Sequence, residues 1–304
     1  MAPFTAIFFG ALFINVIATF RSSVLWNKYK HFFGFSRSSA DSLVTDDKNS
    51  AESRAKHSAL MKKYLAVYLL AVFSDWLQGP YVYALYDAYG FTQHDIAVLF
   101  VAGFGSSMVF GTFMGGLADS CGRKKFTLFF AIVYALSCIT KHFKDFGVLM
   151  LGRLLGGVAT SLLFSVFDSW LIKSHAEEGI SAMLSKSFST AQYGNSIMAI
   201  SAGLIANRAA SLTELKPVSK EGDILYAGGY LYPFDLALIA LVFVGIFAFL
   251  FWGENYGEDK SEEEGQTQKR KHWYDGFVNA YFTTINSKQI LFTGLISSLF
   301  EGSM

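Results

Sequence analysis

Apolar segments of membrane-spanning length recur along the chain, and they constrain its fold more than any other feature. A transmembrane helix needs about 20 mostly apolar residues to cross about 30 Å of hydrocarbon. The sequence is 52% hydrophobic and 16% charged, whereas an ordinary soluble domain has about 25% charged residues. We therefore predict an all-α integral membrane protein, with candidate spans at 3 to 20, 64 to 86, 95 to 117, 126 to 143, 146 to 172, 183 to 207 and 231 to 252.

The polar stretches between these spans divide the chain into five predicted parts. An N-terminal membrane anchor helix (1-25) is followed by a cytoplasmic linker (26-62) and a six-helix bundle (63-252). A charged cytoplasmic loop (253-288) and the incomplete start of a further helix (289-304) come after the bundle. The first segment is an anchor and not a signal peptide, because its positive residues follow the apolar run. Residues 36 to 56 and 253 to 272 show no hydrophobic periodicity and are predicted to be mobile linkers.

Lysines and arginines are distributed unevenly over the predicted loops. With residues 21 to 63 inside, the inner loops hold 19 of them and the outer loops hold five. Inner loops of membrane proteins carry such an excess, so we predict the N-terminus outside and residues 253-288 in the cytoplasm. In this topology Lys141 and Lys144 lie at the outer mouth of the bundle, where they would raise the local concentration of anions.

The loop after the third span contains the sharpest motif, GGLADSCGRKK, at residues 115 to 125. Gly115 would let helices approach closely, and Gly122 would permit a tight turn. Asp119 and Arg123 are placed to form charge-assisted hydrogen bonds across the inner surface. A basic loop that only fixes topology explains Arg123 but not Asp119. The pattern resembles the loop between the second and third core helices of the major facilitator superfamily, and we interpret it as a gating motif.

The span 146 to 172 contains two charged residues, Arg153 and Asp168, within LGRLLGGVAT and FSVFDSWLIKSH. An arginine in a span costs about 2.5 to 3.5 kcal/mol on insertion scales, so it is expected to face a cavity or a partner. The alternative is that Arg153 extends to the nearby outer surface. Asp168 lies near the inner surface. In the superfamily, an acidic residue at this place pairs with the loop arginine, which makes Arg123 and Asp168 a candidate inner latch.

The run FSDWLQGPYVY places Asp75 about 12 residues into its span, near the bilayer centre. Gln78 and Gly79 share its helix face, and Pro80 removes a backbone hydrogen bond. Such a polar face is expected to border an aqueous cavity. Two roles for Asp75 remain open at this point: it links anion binding to a proton, or it pairs with Arg153 as a structural bridge.

The span 183 to 207 is unusually polar in its inner half, and its Gln192 and Asn195 are either ligands of a solute or interhelical hydrogen-bonding groups. Glycines in GFGSSMVFGTFMGG (103 to 116) are expected to form a small-residue packing face and not a phosphate loop. The sequence contains no G-x-S-x-G, H-E-x-x-H or P-loop motif, and its six histidines are scattered. We predict no enzyme activity, no cofactor, no metal site and no nucleic-acid partner.

From about Tyr64 onward the chain resembles the molybdate-anion transporter family within the major facilitators. The resemblance implies two six-helix halves around a central path, preceded by an extra N-terminal helix, with residues 289-304 as the start of the second half. Ser120 departs from the basic residue usual in the loop motif, and residues 212 to 230 look longer than the corresponding outer loop. The resembling runs are DWLQGPYVY (75 to 83), FGSSMVFGTFMGGLADSCGRK (104 to 124), SCITKH (137 to 142), VLMLGRLLGGVATSLLFSVFDSWL (148 to 171), WGENYG (252 to 257) and SLFEGSM (298 to 304).

The function expected from this resemblance is uptake of molybdate, a tetrahedral dianion, by alternating access, and coupling to protons is one of the two roles left open for Asp75. Arg153 is the expected buried cation, and the path and coupling residues are predicted to be Asp75, Gln78, Tyr81, Arg153, Gln192, Asn195 and Glu301. The second half, or a second copy of the chain, is needed to complete the path through the lipid bilayer. We expect the plasma membrane, with an endomembrane as the alternative. The rival functions are a facilitator for another solute such as a sugar, and a membrane sensor or scaffold that transports nothing.

Overall fold

A computed structural model of the chain describes residues 46–218, 224–257, 282 and 284–302, and the side chains within this set except those of 46–50 and 297–302. The chain divides into two units, residues 1–52 and 53–304. The predicted anchor at 1-25 and most of the charged loop at 253-288 lie outside the described residues. All the features considered below belong to the second unit, apart from the first turns of one helix.

Helices account for most of the described residues, and a short hairpin lies between two of them. The helices are α1 (Asp46–Gln78), α2 (Tyr81–Ala88), α3 (Gln93–Cys121), α4 (Arg123–Thr140), α5 (Phe146–Glu177), α6 (Leu184–Ala210), α7 (Tyr232–Phe251) and α8 (Lys288–Gly302). Short 3-10 helices precede α6 at Ser181–Met183 and α7 at Gly229–Leu231. The hairpin pairs β1 (Lys216–Pro217) with β2 (Tyr226–Ala227) in antiparallel register.

Each candidate span between residues 64 and 252 overlaps one of these helices. Within the part of the chain that the structure describes, three helical segments are long and apolar enough to cross a membrane by length and composition, namely 93–121, 146–177 and 229–251. The prediction of a helical, membrane-type chain is therefore confirmed at this level. The packing is closest between α3 and α5 and between α4 and α5, so α5 is the central helix of the described bundle.

The ends of the helices follow the local sequence. Thr92 caps α3 through a capping box with Asp95, and the Asp145 side chain caps α5 by accepting from the backbone N–H of Val148 at 2.9 Å. Between α1 and α2 the helix is interrupted at Gly79 and Pro80. Proline lacks the N–H that would continue the helical ladder, so the predicted loosening of the backbone at Pro80 is confirmed.

The prediction of a mobile linker over residues 36 to 56 is wrong where the structure describes it. Helix α1 begins at Asp46 and continues without a break to Gln78. Alanine, glutamate and lysine are strong helix formers, and they give residues 51–56 a helical propensity that a search for apolar periodicity does not detect. His57, Leu60 and Met61 are buried, which anchors this part of α1 to its neighbours.

Small residues bring α3 and α5 into close contact, as the sequence predicts for the glycine-rich face of α3. A Cβ atom on Gly157 would lie 2.4 Å from the carbonyl oxygen of Gly103 and 2.7 Å from Cβ of Ser106. No side chain larger than hydrogen fits this position without moving a helix backbone. Gly115 differs, because a Cβ there would meet no atom within 4 Å, so its predicted role in close helix packing is not observed.

The connection from α4 to α5 is joined to the hairpin by backbone hydrogen bonds. Lys144 N donates to Ile224 O at 2.7 Å, and Tyr226 N donates to His142 O at 2.8 Å. His142 Nε2 also lies 3.0 Å from a carboxylate oxygen of Asp235, in the first turn of α7. Gly228 and Gly229 have positive φ values of 84° and 52°, which glycine adopts without strain, and they form the turn that leads into α7. We call this region the Lys141 end of the bundle.

Candidate functional site

Two adjoining cavities lie on either side of Asp75 and Trp76, which line both. The first, the Arg153 cavity, has a volume of about 320 Å³ and lies among α1, α3, α4 and α5. The second, the Asp168 cavity, has a volume of about 430 Å³ and lies among α1, α5 and α6. The polar and charged residues of the Arg153 cavity are Asp75, Trp76, Gln78, Ser107, Tyr134, Ser137, Lys141, Arg153 and Thr160.

Arg153 faces its cavity and does not extend to the outer surface. Its Nε donates to the carbonyl oxygen of Leu99 at 3.1 Å, and its guanidinium carbon lies 4.5 Å from the centre of the Phe100 ring. A Cβ on Gly103 would lie 2.7 Å from Nη2, so this glycine makes the room that the guanidinium occupies. The cavity orientation expected from the sequence is therefore observed, and the surface alternative is not.

Lys141 is the residue whose position differs most from the prediction. It was expected at the outer mouth of the bundle, but only 2% of the residue is exposed, and it lines the Arg153 cavity. Its Nζ donates to the hydroxyl of Tyr86 at 3.0 Å, and its backbone carbonyl accepts from the hydroxyl of Tyr89 at 2.7 Å. Lys141 is thus the buried cation of this cavity, whereas Arg153 is partly buried. Lys141 follows the last residue of α4 with helical backbone angles (φ −65°, ψ −22°), so its side chain lies on the same helix face as Tyr134 and Ser137, which also line the cavity.

Asp75 accepts a short hydrogen bond from the hydroxyl of Tyr134 on α4. It forms no ion pair with Arg153, although both residues line the same cavity. The structural bridge considered as one role for Asp75 is therefore absent in this conformation. Tyr134 was not predicted as a site residue, because one tyrosine in an apolar helix gives no sequence signal of its partner.

Of two further predicted site residues near Asp75, Gln78 lines the Arg153 cavity and Tyr81 does not. Gln78 is 4% exposed, lines the Arg153 cavity and donates to the carbonyl oxygen of Ser74 at 3.1 Å, which agrees with its predicted place. Tyr81 lines neither cavity, and its hydroxyl donates to Asn207 at 3.3 Å. The prediction of Tyr81 as a path residue is not supported, because the break at Pro80 turns α2 so that this side chain meets α6.

The Asp168 cavity contains both polar residues predicted on α6, Gln192 and Asn195. Asn195 accepts from the indole N–H of Trp76 at 2.8 Å, which joins α6 to the wall shared by the two cavities. Asp168 lies close enough to the hydroxyl groups of Tyr64 and Tyr68 to interact with both. Arg153 and Lys141 do not line this cavity. The two cavities therefore differ in charge, with the cations in one and Asp168 in the other.

We call the region where α3 meets α4, around Gly122 and Arg123, the Arg123 end of the bundle. It contains the gating motif. Nε and Nη2 of Arg123 donate to one carboxylate oxygen of Asp119 at 2.9 and 2.7 Å, which confirms the predicted pair. Gly122 has a φ of 109°, and a Cβ on it would lie 2.6 Å from the Glu254 carboxylate. That carboxylate accepts from the backbone N–H of Lys124 at 2.8 Å and so caps the start of α4.

Residues 252–257 after α7 form a clamp that the sequence analysis noted only as a run of family resemblance. The indole of Trp252 stacks on that of Trp170 with ring centroids 4.1 Å apart, and its N–H donates to Lys63 O at 3.1 Å. Asn255 Nδ2 donates to the carbonyl oxygen of Trp170 and to the Ser174 hydroxyl, each at 3.1 Å. The clamp therefore joins the inner parts of α1, α5 and α7.

The predicted latch between Arg123 and Asp168 is not formed. The backbone N–H of Arg123 donates to Asn255 O at 3.0 Å, so the clamp occupies the space between the start of α4 and α5. Nη1 of Arg123 is buried without a hydrogen-bond partner. Among the described residues, the guanidinium group of Arg123 is hydrogen-bonded to Asp119 alone, and its Nη1 donors stay available.

A buried cluster of His57, His175 and Ser187 joins α1, α5 and α6. The Ser187 hydroxyl lies 2.8 Å from Nε2 of each histidine, and Nδ1 of His175 lies 2.8 Å from Leu171 O. Burial lowers the pKa of His57, and the nearby Lys186 adds to this effect. Ser187 belongs to the polar half of α6, and it forms hydrogen bonds between helices, which is one of the two roles predicted for that half.

Glu301, which was predicted as a path residue, lies on α8, and its side chain is outside the described part of the chain.

Comparison with known proteins identifies the group to which this helical architecture belongs. A family model described as sugar transporters with 12 transmembrane segments matches residues 28–304. The chain belongs to this family of major facilitators. It is a membrane protein, and its predicted resemblance to the molybdate-anion transporters is confirmed by its relatives.

The molybdate-anion transporter of Takifugu rubripes is 32% identical over 273 residues, which are 85% of this chain and 54% of that protein. The molybdate-anion transporter of Danio rerio is 32% identical over 79% of this chain and 50% of its own length. That of Xenopus laevis is 33% identical over 84% of this chain and 52% of its own length. The major facilitator chain described here thus spans about half the length of these curated relatives.

Proposed function

We propose that this protein takes part in the transport of an inorganic oxyanion across a membrane, with molybdate as the first candidate. The observation that carries the proposal is the charge of the Arg153 cavity. Arg153 and Lys141 both line it, and among the described residues no carboxylate forms an ion pair with either. Buried charges are costly unless they are compensated, so a cavity with two cations and one carboxylate, Asp75, favours an anion.

A sugar is the second candidate, because the description of the family names sugars. A site for a neutral polyol needs paired donors and acceptors, and unpaired cations contribute nothing to its binding beyond hydrogen bonds. The names of the relatives and the charge of the cavity both favour an oxyanion. A sensor or scaffold that moves nothing would bind the anion without uptake, and transport measurements separate these alternatives.

The proposed organisation is a six-helix half at residues 63-252, preceded by an anchor at 1-25 and a linker at 26-62. Residues 253-288 would connect it to a second half that begins at 289-304. The charge distribution of the loops supports an outside N-terminus and places the Arg123 end in the cytoplasm. The plasma membrane is the proposed location. A second half, or a second copy, would close the exposed sides of both cavities.

Alternating access in this proposal is a rocking of the two halves about the cavities. The Arg123 end would be the inner gate, with Asp119 and Arg123 paired in one state. The free Nη1 of Arg123 supports an exchange of partners, in which Asp168 becomes its acceptor in another state. Charge reversal at Arg123 should impair transport, and reversal at Asp168 should then restore part of it. An absence of any rescue would count against this gate.

Asp75 is the proposed coupling residue, because an ionised carboxylate in the cavity would repel the substrate. Protonation of Asp75 removes the repulsion, and burial favours the neutral form of a carboxyl group. The hydrogen bond from Tyr134 keeps Asp75 at the wall shared by the two cavities. Asp75→Asn should leave uptake independent of the proton gradient. If this variant retains both the uptake and the pH dependence of the wild type, the coupling role is wrong.

The decisive experiment is uptake of radiolabelled molybdate by proteoliposomes that contain the protein expressed from its complete coding sequence. We expect competition by unlabelled molybdate and by tungstate, and none by glucose. Arg153→Gln should reduce uptake at least about tenfold, because one charge-assisted contact to the anion is worth about 1.5 to 3 kcal/mol. The matched control is Arg208→Gln, an exposed arginine at the end of α6. Competition by glucose alone would support the sugar candidate instead.

A further inference from the structure

Lys141 occupies a position that its place in the chain does not suggest. It follows the last residue of α4 and precedes a connection that contacts the hairpin, yet its side chain is directed into the Arg153 cavity. The hydroxyl of Tyr86 holds Nζ at 3.0 Å, and the Tyr86 ring lies 5.5 Å from it. The hydroxyl of Tyr89 fixes its backbone carbonyl at 2.7 Å. One tyrosine therefore fixes the ammonium group of Lys141, and the other fixes its backbone.

The contacts of Lys141 are insufficient to compensate its charge. A neutral hydroxyl satisfies one of three ammonium donors, and a buried cation normally has an anionic partner. The one carboxylate among the described residues that line the cavity is Asp75, and the hydroxyl of Tyr134 already donates to it. Burial and the positive charge of Arg153 both favour the neutral form of Lys141 in the empty cavity, whereas an anion bound beside it favours the charged form. The positive charge of the cavity is therefore fully developed only when an anion is bound.

We propose that Lys141 selects doubly charged tetrahedral oxyanions over singly charged ones, by acting on the same ligand as Arg153. This inference rests on the proposed oxyanion transport and specifies the class of substrate. Coulomb attraction is proportional to the charge of the ligand, so a dianion gains twice as much as a monoanion from each cation. Arg153 supplies planar, directional donors, and Lys141 supplies a compact point charge.

The size of the cavity is compatible with a small oxyanion that keeps part of its hydration. A volume of about 320 Å³ corresponds to about ten water molecules at about 30 Å³ each. Hydroxyl groups of Ser107, Ser137 and Thr160 also line the cavity. They would provide neutral hydrogen-bond donors to oxygen atoms that neither cation reaches.

The test compares molybdate with perrhenate, which is also a tetrahedral oxyanion but has a single negative charge. Equilibrium binding of each is measured on the full-length protein in lipid nanodiscs. We expect wild type to bind molybdate more tightly than perrhenate by at least about tenfold. In Lys141→Gln, molybdate affinity should fall about 100-fold and perrhenate affinity about tenfold, because halving the ligand charge halves the lost free energy.

Two further variants separate charge from structure. Lys141→Arg keeps the charge and should retain the preference for molybdate over perrhenate. Arg208→Gln removes an exposed cation at the end of α6, outside both cavities, and should change neither affinity by more than about twofold. A thermal unfolding measurement on each variant identifies any that does not fold. If Lys141→Gln does not fold, equal affinity of the wild type for molybdate and perrhenate still overturns the inference, and loss of the preference in Lys141→Arg counts against it as well.

The outcomes distinguish this inference from the proposed function. If wild type binds neither anion, oxyanion transport fails and the inference fails with it. If wild type binds both anions with equal affinity, or if Lys141→Gln weakens both by the same factor, oxyanion transport remains and charge selection by Lys141 is wrong. A loss of the preference in Lys141→Gln, with retention in Lys141→Arg, supports it.

Discussion

The close contact of α3 with α5 gives a prediction whose size can be worked out from the structure. In Gly157→Ala, the added Cβ would lie 2.4 Å from the carbonyl oxygen of Gly103, whereas optimal contacts between non-bonded heavy atoms lie at about 3.5 to 4.0 Å. The two helices must therefore separate by about 1 Å. Overpacking of this kind costs about 1 to 3 kcal/mol.

Gly105→Ala on α3 is the matched control, because a Cβ on Gly105 would meet no atom within 4 Å. Both variants replace glycine by alanine in a helix and gain the same helix propensity, about 1 kcal/mol. The difference between the two variants therefore isolates the clash. The entropy of unfolding is about 2.1 cal/mol/K per residue, so in a chain of 304 residues each kcal/mol shifts Tm by about 1.6 °C, and we expect Gly157→Ala to melt about 2 to 5 °C below Gly105→Ala.

The assay is thermal unfolding of the purified protein in detergent, followed by intrinsic tryptophan fluorescence at one fixed heating rate. A fixed rate is needed because the unfolding of membrane proteins is often irreversible, and the apparent Tm then depends on the rate. If Gly157→Ala melts at the same temperature as Gly105→Ala or above it, the α3–α5 contact is looser than described. The argument for glycine at this position would then fail.

Three further predictions concern the Arg123 end and the buried histidines. Glu254→Gln should lower the apparent Tm by about 1 to 2 °C, since a charged cap of a helix is worth about 1 kcal/mol, and an unchanged Tm contradicts the cap. Trp252→Ala removes the stack on Trp170 and should cost about 3 to 5 kcal/mol in chemical unfolding; a loss below 1 kcal/mol would be inconsistent with the clamp. Burial and Lys186 lower the pKa of His57 in the folded protein below the unfolded value of about 6.5. The unfolded chain therefore binds a proton at a pH where the folded chain does not, and the free energy of unfolding should decrease as the pH falls from about 6.5 through the pKa of His57 in the folded state. A Tm independent of pH from 8 to 5, or the same pH dependence in His57→Gln, argues against this effect.

The helices and the local contacts of the gating motif follow from the sequence. Apolar length predicts the helical segments, and a glycine between two charged helix ends predicts the turn at Gly122. Asp119 lies near the end of α3 and Arg123 begins α4, so the two residues are separated only by the short turn at Gly122 and stay close in space. The break at Pro80 follows from the missing backbone N–H. These features depend on interactions between residues near in sequence, which a single chain reveals without its tertiary structure.

The misplaced residues depend on packing between distant segments. Lys141 lies at the end of an apolar span, and hydropathy cannot tell whether a residue there faces water or a cavity. Tyr81 begins a new helix after the break at Pro80, and its hydroxyl bonds to Asn207, which is 126 residues away in sequence. The prediction of the partner of Arg123 was wrong in part because residues 252–257 fold back between α4 and α5. Each error concerns a contact with a segment that is distant in sequence.

The hairpin after α6 links the length of a surface loop to the position of Lys141 in the cavity. It is bonded through the backbone to residues 142–144, and the cavity lysine is the residue immediately before them. Insertions in a surface loop are normally neutral, because they change only solvated backbone. Here, a change in the length of the loop would move the backbone next to Lys141. Natural variation in this loop would therefore alter ion affinity without any substitution in the cavity, and alignments limited to the transmembrane helices would miss its cause.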